Sequence, residues 1–271
     1  MAYTENIYIS DNYIDHEIYY AGNYGAKGEK RAEREKPTPL QIQKQNYWNR
    51  IKYIKRVMQL NFYPDDLWIT LKYKKGTRKD ITEFKKDISR FFKKLRYQYQ
   101  KEDKQLLFMY RLEIGKRGGL HAHVLINRIS DADIKVSECW KKAAVEAVRP
   151  NFTSIDEYGG YVGLAEYIAK EPDEEIEGQL TFLDPEDRKK LLAVSSSRNL
   201  KRPEPIKKRY HHWTLRKIMT GEADINPTKD FYIDKDTIKT GINKFTGMSY
   251  LCYTEIRTKL RKRGQDGNIH G

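Results

Sequence analysis

Cysteine is scarce in this 271-residue chain, with Cys139 and Cys252 the whole complement. Two thiols in no metal-ligand spacing cannot build a disulfide framework and suit a reducing compartment, so a cytoplasmic protein is expected. Long apolar runs are missing too. No stretch approaches the roughly 18 consecutive apolar residues that a membrane-spanning helix needs. The opening residues MAYTENIYIS carry neither the basic nor the apolar segment of a secretory signal, and no membrane partner is expected. No GxxxxGK[ST] loop occurs, which excludes an attached P-loop NTPase. Acidic residues are in deficit: 38 Asp and Glu face 52 Lys and Arg, a formal net charge of +14. A surplus of that size makes a polyanion the expected partner, and nucleic acid is the commonest polyanion.

What is present divides into three segments. Residues 1–37 read as an extension, with Tyr3, Tyr8, Tyr13, Tyr19 and Tyr20 interleaved with isoleucines, then the Gly- and charge-rich GNYGAKGEKRAEREK. The first half is apolar enough to add a strand or drape over the body; the second reads as a linker or basic arm. Residues 38–172 form the expected catalytic domain. It opens on a helix over Leu40–Leu60, basic on its outer face. A strand follows over Asp65–Lys75, with Trp68, Thr70 and Lys72 on one face and Leu67, Ile69, Leu71 and Tyr73 on the other. A helix over Ile81–Tyr99 leads to two strands, Gln105–Gly115 and Leu120–Asn127. A helix capped by Asp131 is expected to run to Val148, then a short strand over Phe152–Ile155 and a helix over Tyr158–Lys170. The order strand-helix-strand-strand-helix-strand predicts an α+β fold of the ferredoxin-like, split βαβ type: an antiparallel sheet flanked by helices, with N- and C-terminal extensions. Residues 173–271 read as a basic C-terminal extension that binds DNA.

The chemistry concentrates on three short stretches. His121 and His123 are two apart in a strand, so both imidazoles point to one face while Ala122 points to the other. Glu113 lies on the preceding strand at the same parity, and an odd-length loop places it directly opposite His121. Two histidines and one carboxylate with open positions can hold a divalent metal, Mn²⁺ or Mg²⁺, for Lewis-acid work on a phosphate. HxH alone is a weak signal, since surface histidines or a different metal site produce it as well. The third stretch is Tyr167-Ile168-Ala169-Lys170. On a helix, residues three apart share a face, which would project the Tyr167 hydroxyl and the Lys170 ammonium together. A tyrosine with an ordinary pKa near 10 is a poor nucleophile at neutral pH, and a neighbouring cation with a metal on the phosphate is what would activate it. By parity and strand position, Lys72 and Arg111 would flank the same site.

Taken together, LWITLKY, LEIGKRGGLHAHVLIN and YVGLAEYIAK resemble the three ordered motifs of the HUH endonucleases. The stretch from Asn61 to Thr70 resembles the phage and plasmid branch of their rolling-circle replication initiators. The resemblance covers about Leu40 to Lys170. It implies His121 and His123 as metal ligands, Glu113 as the third, Tyr167 as nucleophile and Lys170 as helper. The tyrosine follows the histidines, as in replication initiators; relaxases of conjugative transfer have the reverse order. Two-tyrosine initiators carry the pair one helical turn apart. Here Tyr161 precedes Tyr167 by six residues, about 600° round the helix and off its face, so Tyr161 and Tyr158 are expected to be structural or to stack on DNA. The implied reaction cuts and rejoins single-stranded or hairpin origin DNA through a 5′-phosphotyrosyl link, leaving a free 3′-hydroxyl for a polymerase and relying on a separate helicase. A single-tyrosine transposase and a non-catalytic module binding single-stranded nucleic acid are the alternatives.

Between residues 198 and 217 the sequence carries eight Lys and Arg against one Glu. Within it, Arg198, Lys201, Arg202, Lys207, Lys208, Arg209 and Trp213 are the expected DNA contacts, joining phosphate-binding cations to a stacking ring, with His211 and His212 beside them. A solvated basic helix is the other reading of this stretch.

Overall fold

The computed structural model describes residues 2–22, 30–77, 79–115, 118–170, 181, 183–210 and 212–264. The chain divides into two compact units, one of residues 1–60 with 202–261 and one of residues 61–201 with 262–271. This division cuts across the boundaries expected at 37 and 172. The Tyr-rich start of the chain is not an appendage, because it supplies the central strands of a sheet that the C-terminal region completes.

In the first unit, β1 (Tyr3–Ile9) and β2 (Tyr13–Tyr20) form an antiparallel hairpin. α1 (Pro39–Asn61) follows as the helix expected there. From the C-terminal half come β8 (Ile206–Tyr210), β9 (Phe231–Asn243) and β10 (Met248–Arg257), giving the strand order β8-β1-β2-β10-β9. On one face Tyr3, Ile18, Leu251 and Tyr253 close over Leu215 of a short helix (His212–Met219). On the other face the alternation of β2 presents Asp15 and Glu17 to α1. Lys55 and Arg56 bridge to Asp15, at 2.8 and 3.0 Å, and Lys52 and Arg56 bridge to Glu17, at 2.7 and 3.0 Å.

The second unit builds β3 (Leu67–Leu71), α2 (Ile81–Lys101), β4 (Phe108–Ile114), β5 (Leu120–Ile126), α3 (Ala132–Ala143), β6 (Asn151–Thr153) and β7 (Val194–Ser196). The strand order β6-β3-β5-β4-β7, with every pairing antiparallel, is the split βαβ arrangement with one added edge strand. Leu67, Ile69 and Leu71 of β3 and Ala122, Val124 and Ile126 of β5 face α2 and α3. There they bury Phe84, Phe91, Leu95 and Trp140 in one continuous core. α2 starts where its capping box dictates: the Asp80 carboxylate accepts from Glu83 N–H and the Glu83 side chain returns to Asp80 N–H.

Two local expectations need correction. Asp131 has φ 49° and makes no side-chain cap, so α3 is not capped by it. α3 also stops at Ala143 instead of Val148: Ala144 is extended, and the chain beyond pairs with β3's continuation through a Tyr73–Ala147 bridge. α4 (Gly160–Ala169) follows a single 3-10 turn at Asp156–Tyr158. Gly159 and Gly160, at φ +73° and +68°, make that left-handed junction without a Cβ penalty. Among the described residues no helix is long and apolar enough to cross a membrane.

Candidate metal and nucleophile site

The face of the second sheet that points away from α2 and α3 carries Trp68 and Thr70 of β3, Arg111 and Glu113 of β4, and His121 and His123 of β5. The register makes them neighbours, with Thr70 opposite His123, Arg111 opposite His123 and Glu113 opposite His121. The last pairing is the one that parity across the loop predicts. One ligand atom from each of Glu113, His121 and His123 lies within 4.8 Å of the others. Glu113 Oε2 is 2.9 Å from His123 Nε2 and 3.4 Å from His121 Nε2. Two borderline imidazole nitrogens and one hard carboxylate oxygen fit a divalent cation, with room left in its coordination sphere.

The other ring nitrogens are also engaged. His123 Nδ1 lies 3.2 Å from Thr70 Oγ1, and His121 Nδ1 lies 3.4 Å from the Gly119 carbonyl. These contacts turn both Nε2 atoms toward Glu113, in the way that outer partners orient metal-bound histidines. Trp68 stacks on His123, with centroids 5.6 Å apart and planes 15° apart, and meets the Tyr167 ring edge-on at 6.2 Å. Burial pushes Glu113 up, but hydrogen bonds from His121 and His123, with their charge, outweigh it and hold the carboxyl well below its usual range. Burial also pushes His123 down; the Glu113 hydrogen bond opposes this, and the charges of His121 and Lys72 add to it. Both groups therefore favour the form a metal requires, carboxylate and neutral imidazole.

Tyr167 comes from α4, which lies over this face. Its hydroxyl is 2.9 Å from His123 Nε2 and donates to Glu113 Oε2 at 3.3 Å. The predicted nucleophile and all three predicted ligands thus converge. α4 ends at Ala169, and Lys170 is its cap, with φ −50° still helical and ψ 134° turning the chain away after it. The Lys170 backbone carbonyl accepts from Arg111 Nη1, which also donates to the Ile168 carbonyl at 3.0 Å. Arg111 is buried, and its guanidinium pins the C-terminal end of the tyrosine helix where unpaired carbonyls favour a cation. Tyr161 is buried on the inner face of α4, a structural position. The Tyr158 side chain lies outside the described residues.

The expected DNA contacts are divided between the two units. Arg198 and Lys201 are exposed in the second unit, whereas Arg202 and the β8 residues Lys207, Lys208 and Arg209 belong to the first. Within the stretch, Ile206–Tyr210 form strand β8, and the helix His212–Met219 carries Arg216 and Lys217 in its last turn. His211 and the side chains of His212 and Trp213 lie outside the described residues. The sequence reading missed the roles of Thr70 and Trp68. Their face was legible from alternation, but only pairing with β5 shows that the face belongs to the histidines.

Residues 66–172, less than half of the chain but most of the second unit's sheet and all of α4, match the family model for replication-associated proteins of the ORF2 and gene II protein type. The match supports a role in initiating DNA replication. No curated protein and no solved structure matches the chain.

Proposed function

We propose that this protein is a replication initiator of the HUH type, one that nicks and rejoins single-stranded origin DNA through Tyr167. The observation carrying this reading is the placement of the Tyr167 hydroxyl 2.9 Å from His123 Nε2, within a constellation of two histidines and one glutamate. Mn²⁺ or Mg²⁺ held by His121, His123 and Glu113 would supply the positive charge that polarises a scissile phosphate. Tyr167 Oη attacks the phosphorus, forming an O–P bond as the P–O3′ bond breaks. The hydroxyl proton leaves through the polar groups around Tyr167, and the departing 3′-oxygen takes up a proton. The 5′-phosphotyrosyl link conserves the bond energy, so reverse attack by a 3′-hydroxyl reseals the strand without ATP. Thr70 and Trp68 fix the His123 ring, Arg111 fixes α4, and exposed Lys72 offers charge to the incoming strand. Arg198, Lys201 and Arg202 supply further phosphate contacts. A helicase and a polymerase come from elsewhere.

The test is incubation of the full chain with Mn²⁺ and single-stranded DNA from the region bearing the origin, followed by denaturing electrophoresis. A covalent protein–DNA band is expected, absent with chelator and absent in Tyr167→Phe. A band that persists in Tyr167→Phe contradicts the assignment. No band and no metal dependence favours a non-catalytic binding module.

A further inference from the structure

The loops at one end of the second unit's sheet enclose a recess of about 780 Å³, within the roughly 300–1,000 Å³ of small-molecule sites. Every residue lining it belongs to that unit. Leu107 before β4 and Asn127 after β5 form part of its wall, whereas Glu113 and His121 lie at the other end of these strands. From Leu107 to Glu113 the chain advances about 20 Å, so the recess is separate from the candidate metal and nucleophile site.

Four cations from four separate segments meet there: Lys104 after α2, Arg128 after β5, Lys201 after β7 and Arg263 of the C-terminal segment. Three of them are anchored. Arg263 forks onto the fully buried Asp66 carboxylate, with Nε 3.1 Å from Oδ1 and Nη2 2.6 Å from Oδ2. Arg128 Nε donates to the Asp65 carbonyl at 2.6 Å, and the Lys201 backbone is clasped by the Asn61 amide at 2.8 and 2.9 Å. Lys104 and Lys201 are exposed, and among the described residues neither ammonium forms an ion pair. The carboxylates on the wall are Asp65 and Glu102, and Glu102 is already bound by Lys135.

We infer that this recess binds a free nucleoside 5′-triphosphate. The inference goes beyond the nicking reading and does not rest on it. Converging cations suit a short chain of phosphates, and a guanidinium held in place loses little freedom when it forks onto phosphate oxygens. The remaining wall suits a base. Leu107 and Ile129 are half-buried and apolar. Beside them, Asn199 Nδ2 donates to Gln105 Oε1 at 3.2 Å, which leaves the Gln105 amide nitrogen as a donor and the Asn199 amide oxygen as an acceptor. A strand of DNA running through fits less well. Such a path stacks successive bases on aromatic platforms, and the ring on this wall, Tyr63, already lies under the Arg263 guanidinium at 4.9 Å.

The test is titration calorimetry of the full chain with each of the four deoxynucleoside triphosphates. EDTA is present, so that no cation at Glu113, His121 and His123 recruits phosphate. At least one triphosphate is expected to bind in a 1:1 ratio, and its parent nucleoside at least 100-fold more weakly. Lys104→Ala/Arg128→Ala should lose at least tenfold in affinity with its thermal melting midpoint unchanged. If that variant melts early, Lys104→Glu on the exposed rim replaces it and should lose as much. His121→Ala/His123→Ala should bind as the parent does. No binding by any of the four, or rim variants that bind as tightly as the parent, overturns the inference. So does inorganic triphosphate binding as tightly as the best nucleotide, which would make the recess a polyphosphate site without base recognition. Displacement of the nucleotide by a lower concentration of a ten-nucleotide single strand overturns it too, by making the recess part of a DNA path. Failure of the unsubstituted chain to form a covalent adduct, with nucleotide binding intact, would remove the nicking reading and support the separateness of this site.

Discussion

At the residue scale, the candidate site depends on second contacts as much as on the residues that would touch metal or phosphate. His123 is fixed from three sides, by Thr70 at Nδ1, by Trp68 across its face and by Glu113 at Nε2. Thr70→Val keeps the shape of the side chain and removes the hydroxyl. It should weaken Mn²⁺ binding or adduct formation by about 10–100-fold, the usual consequence of losing an outer partner, and titration calorimetry would read it. Unchanged affinity and rate in Thr70→Val would show that His123 is oriented without it. The candidate metal ligands were legible in the sequence because their chemistry is local: HxH fixes a face by alternation, and parity across a short loop finds Glu113. Thr70 and Trp68 were legible only as members of a strand face. Nothing in the sequence says which other strand that face will lie beside.

At the scale of elements, two devices position what function uses. The first is the Arg111 clamp on the end of α4. Sequence spacing singles out Lys170 as the cation near Tyr167; at the end of the helix backbone itself, the buried Arg111 of β4 binds the last carbonyls. Arg111→Ala should slow adduct formation by about 100-fold, as expected for a nucleophile released from its aligned position. Mn²⁺ affinity should hold, because the ligands come from β4 and β5. An equal loss of metal affinity would make Arg111 a support of the sheet rather than of the tyrosine helix. The second device is the charged contact of α1 with β2. Burial pushes Asp15 up, but the adjacent Lys55 and Arg56 charges outweigh it and hold the carboxyl below its usual value; Glu17 behaves in the same way beside Arg56 and Lys52. A depressed folded-state pKa contributes stability above the unfolded value, near 4, and that contribution is lost as pH falls through the folded value. Denaturant midpoints should therefore drop as pH falls below about 5. Asp15→Asn, which leaves Lys55 without its carboxylate and Arg56 with Glu17 alone, should cost about 3–5 kcal/mol at neutral pH and flatten that dependence. A variant with the same acid sensitivity as the parent would place the titrating groups elsewhere.

At the scale of the whole molecule, the surplus of fourteen positive charges resolves into distinct locations. Part of it, on the second half of α1, is neutralised within the first unit. Part lies exposed on β8, and part, with Arg198 and Lys201, belongs to the second unit. The segment-by-segment division of the chain was misleading because strand pairing ignores distance along the chain: β1 and β2 sit between β8 and β10. A chain lacking residues 1–22 should consequently lose protection from proteolysis across 202–261, while the sheet that holds His121 and His123 keeps its strands. Equal protection in the truncated chain would show that the C-terminal strands form a sheet on their own. The split βαβ sheet was readable in advance because its elements follow one another in sequence; the first unit's sheet was not, because its strands come from both ends.

The central claim, that Tyr167 is the covalent nucleophile, is tested most directly by nuclease trimming of the adduct formed with Mn²⁺, proteolysis, and mass spectrometry of the nucleotide-bearing peptide. The account predicts a residual 5′-phosphoryl nucleotide on Tyr167, in the α4 peptide. A nucleotide on Tyr161, or on any residue outside α4, would contradict it.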